Sequence, residues 1–474
     1  MKKICLSFLL ILITTIAWSQ KFSSAVQQFI RYSQDTIALI HVNIIDGSGG
    51  PAKADQTVVL VIQGRFAAIS GNINGRIPMP LGTRVIIDCS GKTIIPGMVM
   101  MHEHMFYGES QPPFYIGQAM PLSFPKLYLA GGATTIRTTG TVEPQTDLNI
   151  RKWIGEGKMT GPDMDVTTPY IEREGIPIPE MLFVKNTAEA ERETAYWIDM
   201  GCTSVKAYMD ITRADLNAVI AVAHKKNVKV TGHLCSITFR EAATAGIDNL
   251  EHGFMVSTDF APLKESDKCT SGTSSLLKMD VNDPAMKDLI SYLVQKNVAI
   301  TSTLPVFEPY TGREIIPGGG DSALLPQIRE KLEKQYHLME RKDSGSAALF
   351  RKEMAWEKMF VDMGGRLMAG IDPTGAGRVI PGYADRHVLE LLVEAGFSFP
   401  LAVKICSLNA AEYMGRDKEI GSISVGKRAD FVIMNGNPEK DIRSVRNTEL
   451  VFKNGIGFDS KKIFESVKGK VGMY

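Results

Sequence analysis

Between residues 96 and about 413, short apolar runs alternate with helical stretches, and this alternation constrains the fold more than any other feature. The runs fall at 133–137, 165–167, 203–208, 229–231, 249–251, 298–301 and 366–369. Strand–helix alternation of this kind calls for parallel strands with covering helices. About eight strands in one run favour a closed (β/α)8 barrel over an open sheet. Such a barrel takes about 250 residues, so a chain of 474 residues, 44% of them hydrophobic, has room for a second domain.

Both ends of the chain supply that domain. Residues 36–45 and 56–69 alternate apolar and polar side chains around Asp46-Gly47-Ser48-Gly49-Gly50, and 85–88 and 92–95 continue the pattern. Near the other end, 429–434 and 450–452 are short apolar strands bounded by Gly426-Lys427 and Asn454-Gly455. The expected division is a small β-sandwich from 36–95 and 414–474 around a barrel at 96–413. Gly318-Gly319-Gly320 and the charged helical stretch 325–341 interrupt the barrel rhythm and read as a covering lid.

Lys2 and Lys3 precede an apolar stretch from Ile4 to Ala17, and Ala17-Trp18-Ser19 offers small residues for cleavage before Gln20. This is the layout of a secretory signal peptide over 1–19, which implies a secreted or periplasmic protein. The run is short for a membrane span, and no later segment is long and apolar enough to be one. Five cysteines follow, Cys89, Cys202, Cys235, Cys269 and Cys406. Scattered, odd in number and without CxxC spacing, they indicate neither a disulfide framework nor a thiolate metal site. With 53 basic and 52 acidic residues the formal net charge is +1, which gives no long-range field to hold nucleic acid. The expected partner is a small-molecule substrate; a homo-oligomer stays open.

His102 and His104 close an apolar strand, and alternate strand residues share a face, so both can address one metal ion. Alone, such a pair says little. Lys206, Gly232-His233, Glu251-His252-Gly253 and Gly370-Ile371-Asp372 close four later strands, and the C-terminal ends of barrel strands are where catalytic groups collect. Four imidazoles, a carboxylate and a lysine suit two divalent ions such as zinc. Two ions that share a water lower its pKa and give hydroxide near neutral pH. A lysine ammonium would repel them, whereas a lysine carboxylated by carbon dioxide is an anion with two oxygens that can bridge the pair. Asp372 could bind one ion, take the proton of the attacking water and pass it to the leaving amine. Arg137, Tyr208 and His387 lie near the expected mouth and could hold substrate; Arg137 and Tyr208 serve equally well as struts. His41, His224 and His337 read as structural or solvated.

These motifs resemble the amidohydrolase superfamily, in the branch of imidazolonepropionase-like proteins and metal-dependent X-Pro dipeptidases. The resemblance rests on Pro96-Gly97 with His102-Glu103-His104, on 131–137, Val205-Lys206, Gly232-His233, Glu251-His252-Gly253 and Gly370-Ile371-Asp372. Asn409-Ala410-Ala411 and 421–430 complete it. It implies that His102 and His104 bind the more buried metal and His233 and His252 the more exposed one. Carboxylated Lys206 would bridge them, and Asp372 would be the metal-binding acid/base. The chain departs from the pattern at Met100, Thr138, Thr167-Thr168-Pro169-Tyr170 and Tyr208-Met209-Asp210, departures that bear on substrate rather than on metal. The implied activity is hydrolysis of an amide or peptide-like C–N bond in a small molecule, of dipeptide or N-acyl amino acid type. A deaminase, a lactonase or phosphotriesterase on the same metal core, and a non-catalytic secreted binding protein are the alternatives. The deaminases of this superfamily commonly use one metal and lack the bridging lysine.

Overall fold

The computed structural model describes residues 22–70, 85–314, 316–339, 345–376 and 378–472; the expected signal peptide, 1–19, lies outside the described residues. Eight parallel strands follow in chain order. β1 is Met98–Glu103, β2 is Ala133–Thr138, and β3 comes in two pieces, Asp163–Asp165 and Thr167–Glu172. β4 is Ser204–Ala207, β5 Lys229–Gly232, β6 Asn249–Glu251, β7 Ala299–Ser302 and β8 Leu367–Ala369. β1, β2 and the first piece of β3 make one sheet; the second piece of β3 through β8 makes another, with Leu182–Phe183 at its margin. The fold is therefore α/β with parallel sheets. At the far edge, the Ile371 and Asp372 N–H groups donate to the His102 carbonyl at 3.2 and 3.0 Å. A side chain at Gly370 would collide with His102, so the end of β8 lies directly on the end of β1.

The covering helices start where the sequence supplies a cap. Thr212 accepts from the Asp215 N–H and Thr238 from the Glu241 N–H, each with a reciprocal carboxylate bond that closes a capping box. Asn186 caps Thr187–Asp199 in the same way without the reciprocal bond. Their apolar faces, with Leu216, Val219 and Ala223 as an example, bury against the strands in one continuous core. Each strand then ends over the mouth of the parallel region, and that is where its polar residues gather.

A nine-stranded sheet forms from both ends of the chain. Lys92–Pro96 pairs antiparallel with Phe431–Asn435, Ile94 opposite Ile433. The sheet has a core of its own, including Leu39, Val59 and Phe66, in which the Phe431 and Phe452 rings stack at 4.3 Å. It differs from expectation at its margins. Ile30–Tyr32 joins it ahead of residue 36 by pairing with Ile456–Asp459. The chain then leaves it in a helix, Ser460–Ser466, which Asp459 caps and whose Ser460 hydroxyl donates to the Ala130 carbonyl at 2.6 Å.

Two further features, a hairpin and a disulfide, went unread in the sequence. An antiparallel hairpin, Phe106–Gln111 with Phe114–Ala119, follows β1. It is tied to the loop after β8, since the Gly108 N–H donates to the Thr374 carbonyl at 2.8 Å. The helix Pro326–Met339, read as a lid, touches this hairpin through a Lys331–Glu109 ion pair at 2.7 Å. Contrary to the reading of the cysteines, Cys235 and Cys269 form a disulfide. The turn after β5 and the segment after β6 bring two scattered positions together, and spacing along the chain carries no trace of that approach.

Candidate metal centre

The mouth of the parallel strands collects the histidines. His102 ends β1 and is buried, with Nδ1 2.7 Å from Glu251 Oε2. His104 lies just past β1, its Nδ1 3.0 Å from the Gly140 carbonyl. His252, just past β6, has Nδ1 2.8 Å from the Thr303 hydroxyl. Each of these three rings is anchored on Nδ1, an arrangement that fixes the ring and aims Nε2 elsewhere. The Nε2 atoms of His102 and His104 lie 3.5 and 3.0 Å from Asp372 Oδ1. The ring centres of His102 and His252 are 4.5 Å apart, and those of His252 and the partly exposed His233 are 4.4 Å apart.

Backbone geometry makes this convergence. His252 and Asp372 sit at φ +70° and +53°, a left-handed conformation that costs an ordinary residue about 1–2 kcal/mol. Turning the chain back over the strand ends brings Asp372 among the imidazoles. Ligand atoms of His102, His252 and Asp372 all lie within 4.8 Å of one another, a group that could hold a metal ion. Burial alone would raise the Asp372 carboxyl, but the histidines around it, His102 first, hold it well below the usual carboxylate range. Burial, with Lys206 close by, pushes His233 down to about 3 and drives His252 down as well. Neutral imidazoles with a free lone pair are what a divalent ion binds.

Lys206, in β4, is buried, and burial pushes its amine down to about 8 against the pull of Glu251 and Asp372. Tyr208 lies at the rim, its ring edge-on to His233 at 5.2 Å. Arg137 is elsewhere. It lies beneath the histidines, donating to the Met101 carbonyl, to Asn249 Oδ1 at 2.8 Å and to Glu251 Oε1 at 2.7 Å. Of the two readings the sequence left open for it, these contacts match the strut, since its acceptors come from β1 and β6. His387 also falls outside the cluster. Its two ring nitrogens lie 2.6 Å from Glu308 and 2.5 Å from Glu390. Burial would lower it, yet the two carboxylates raise it to about 9. With both nitrogens engaged, His387 has no donor left for a substrate.

Sequence reasoning overlooked the residues that orient the ligands. Glu251 is fully buried between Arg137 and His102, and its Oε1 also takes the Thr231 hydroxyl. A charged residue sharing a face with Asn249 in a three-residue buried strand was the available signal. Thr303 and the Gly140 carbonyl gave none. Glu353, buried, accepts the Phe254 N–H at 2.9 Å and so pins the loop that follows His252.

A family model described as the amidohydrolase family matches residues 93–457. The chain belongs to the amidohydrolase family. A dihydroorotase of Caldanaerobacter subterraneus subsp. tengcongensis is 31% identical over 107 residues, which cover 23% of this amidohydrolase and 22% of the dihydroorotase. Solved structures share the fold over much more of the chain. A putative prolidase from Bifidobacterium longum is 24% identical, with a TM-score of 0.64 over 91% of this chain and 99% of its own. A Xaa-Pro dipeptidase with bound methionine in the active site is 17% identical, with a TM-score of 0.65 over 90% of this chain and 100% of its own. An ochratoxinase of A. niger is 16% identical, with a TM-score of 0.62 over 90% of this amidohydrolase and 96% of its own chain.

Proposed function

We propose that this amidohydrolase is an exported, metal-dependent hydrolase that cleaves an amide or peptide-like C–N bond in a small molecule of dipeptide or N-acyl amino acid type. The observation that carries the reading is the convergence of four imidazoles, Lys206 and Asp372 at the strand ends, with three rings anchored on Nδ1. We read the eight strands as a closed (β/α)8 barrel, supported by the bonds from Ile371 and Asp372 to His102. The two-ended sheet is read as a β-sandwich, supported by its separate core.

His102 and His104 would hold the more buried of two divalent ions, zinc by the chemistry of the donors, and His233 and His252 the other. Lys206, as a carbamate, would lie between them; burial, which lowers its amine to about 8, favours the uncharged form, the one that combines with carbon dioxide. Such ions supply Lewis-acid activation of water and carbonyl. Asp372 accepts the proton of the attacking water and returns it to the departing nitrogen. Glu251, Thr303 and the Gly140 carbonyl hold the imidazoles in register while this happens. Lys206 within the cluster favours hydrolysis over a one-metal deaminase. The names of the fold relatives favour a dipeptide-like substrate. Export rests on the 1–19 sequence and is supported by the Cys235–Cys269 disulfide, a bond that persists in oxidising compartments.

The test is protein prepared with zinc and bicarbonate, analysed for metal and assayed on dipeptides and N-acyl amino acids. About two ions per chain and release of free amine are expected. A single ion in active protein removes the two-metal reading. Fully metallated protein that cleaves no C–N bond in the panel removes the function.

A further inference from the structure

Beside the histidines lies a cavity of about 230 Å³ whose lining carries no charged side chain. The hairpin contributes Phe106 and Tyr115, β3 contributes Tyr170, the residue past β4 is Tyr208, and the loop after β3 brings Ile178 and Met181. The rings connect this space to the metal centre. Tyr170 lies nearly parallel to His104, centres 6.0 Å apart, with its hydroxyl 3.3 Å from Nδ1. Tyr208 meets Tyr170 edge-on at 4.9 Å and His233 edge-on at 5.2 Å. A group held here is one ring's breadth from two of the metal-ligand candidates.

Two of the tyrosine hydroxyls are already engaged. That of Tyr115 donates to the Thr374 carbonyl at 2.7 Å, and that of Tyr170 faces His104. Apart from these hydroxyls, that of Tyr208 and Thr374, the lining consists of ring faces, ring edges and aliphatic groups. A charged group entering it would shed its hydration without a partner, which is costly, whereas an apolar ring gains burial and ring–ring contact. An apolar cavity of about 150 Å³ already takes up benzene, so about 230 Å³ admits a benzyl or isobutyl group with room to orient.

We propose that this cavity is the specificity pocket of the enzyme and takes an uncharged aromatic or large aliphatic side chain of the substrate, lodged among Phe106, Tyr115, Tyr170, Tyr208, Ile178 and Met181. The assignment of the occupant as a substrate side chain rests on the hydrolytic reading above. It selects, among dipeptides and N-acyl amino acids, those with a bulky apolar residue beside the scissile bond.

Two measurements on the zinc-loaded full chain separate the pocket from the hydrolysis. In calorimetric titration, 3-phenylpropionamide binds about tenfold more tightly than propionamide, and Met181→Trp or Ile178→Trp, each filling the space, removes that advantage. In assays, kcat/KM for N-acetyl-phenylalanine exceeds that for N-acetyl-glycine about tenfold and that for N-acetyl-glutamate by more, and both ratios collapse in the same variants. Equal binding of the two amides by the wild-type chain overturns the pocket, as does an unchanged preference in either variant. Phenyl-selective binding without any hydrolysis counts against the hydrolytic reading alone and leaves the pocket assigned.

Discussion

Asp372 is the residue on which the proposed catalysis and ligation meet. Its Oδ1 is within 3.0 Å of His104 Nε2, and its neighbours keep it ionised, so at neutral pH it is a base rather than an acid at the start of a cycle. Asp372→Asn keeps the shape and one oxygen but cannot take a proton. General acid/base assistance is worth about a hundred- to ten-thousand-fold. We therefore expect kcat to fall at least about a hundredfold while metal content is largely kept, with kcat, metal content and ligand affinity measured on one preparation. A variant that keeps its metals and its rate would assign the proton transfer to another group. Loss of all metal would show ligation only.

At the scale of elements, the strand ends that carry His233 and His252 are stapled outside the histidine cluster. Cys235 and Cys269 join segments 34 residues apart, and Lys264 adds a bond from its ammonium to the Ser236 carbonyl at 2.6 Å. Closing a loop of this length restricts the unfolded chain by about 3–4 kcal/mol in the chain-entropy model. Replacing both cysteines with serine is expected to lower unfolding stability by about 2–4 kcal/mol, measured by denaturant titration; an unchanged midpoint would mean that the bond constrains little. This staple also marks where sequence reading stops. Apart from the third, whose expected run 165–167 spans only the junction between its two pieces, the parallel strands were legible within a residue or two because each is a short apolar run between helical stretches, and the candidate ligands stood out because they close those runs. The hairpin was missed because its residues, Phe106 to Ala119, alternate weakly and follow directly on β1. The sequence left Arg137 open between strut and substrate contact, and did not show how His387 is engaged, because Glu251 and Glu308 come from distant parts of the chain, while Glu390 lies one turn along the helix of His387 itself. Periodicity reports which face a residue takes, not what meets it there.

At the scale of the whole molecule, one seam joins the two-ended sheet to the parallel strands. Asp163, in the first piece of β3, receives Arg428 at 2.7 Å and Lys453 at 2.8 Å, and Arg416 reaches Asp165 at 3.0 Å. Burial would raise the Asp163 carboxyl, but Lys453 and Arg428 hold it well below its ordinary value of 3.8. A depressed folded-state value means that the stabilisation is complete above the unfolded value and fades as pH falls below it. Asp163→Asn should thus cost about 2 kcal/mol near neutrality and flatten part of the acid limb of the stability curve. Melting temperatures of both proteins between pH 3 and 7 test this, and parallel curves would place the acid sensitivity elsewhere. The same architecture sets a timetable. The strand Lys92–Pro96 finds its antiparallel neighbour only in Phe431–Asn435, and the intervening chain takes on the order of half a minute to synthesise at about 5–20 residues per second. Until then the edge of Lys92–Pro96 stays open and the strand leading into His102 lacks its support. Under the proposed export that delay is an advantage: the chain stays unlocked while it is threaded outward, and the candidate metal ligands come into register only after the last strands arrive.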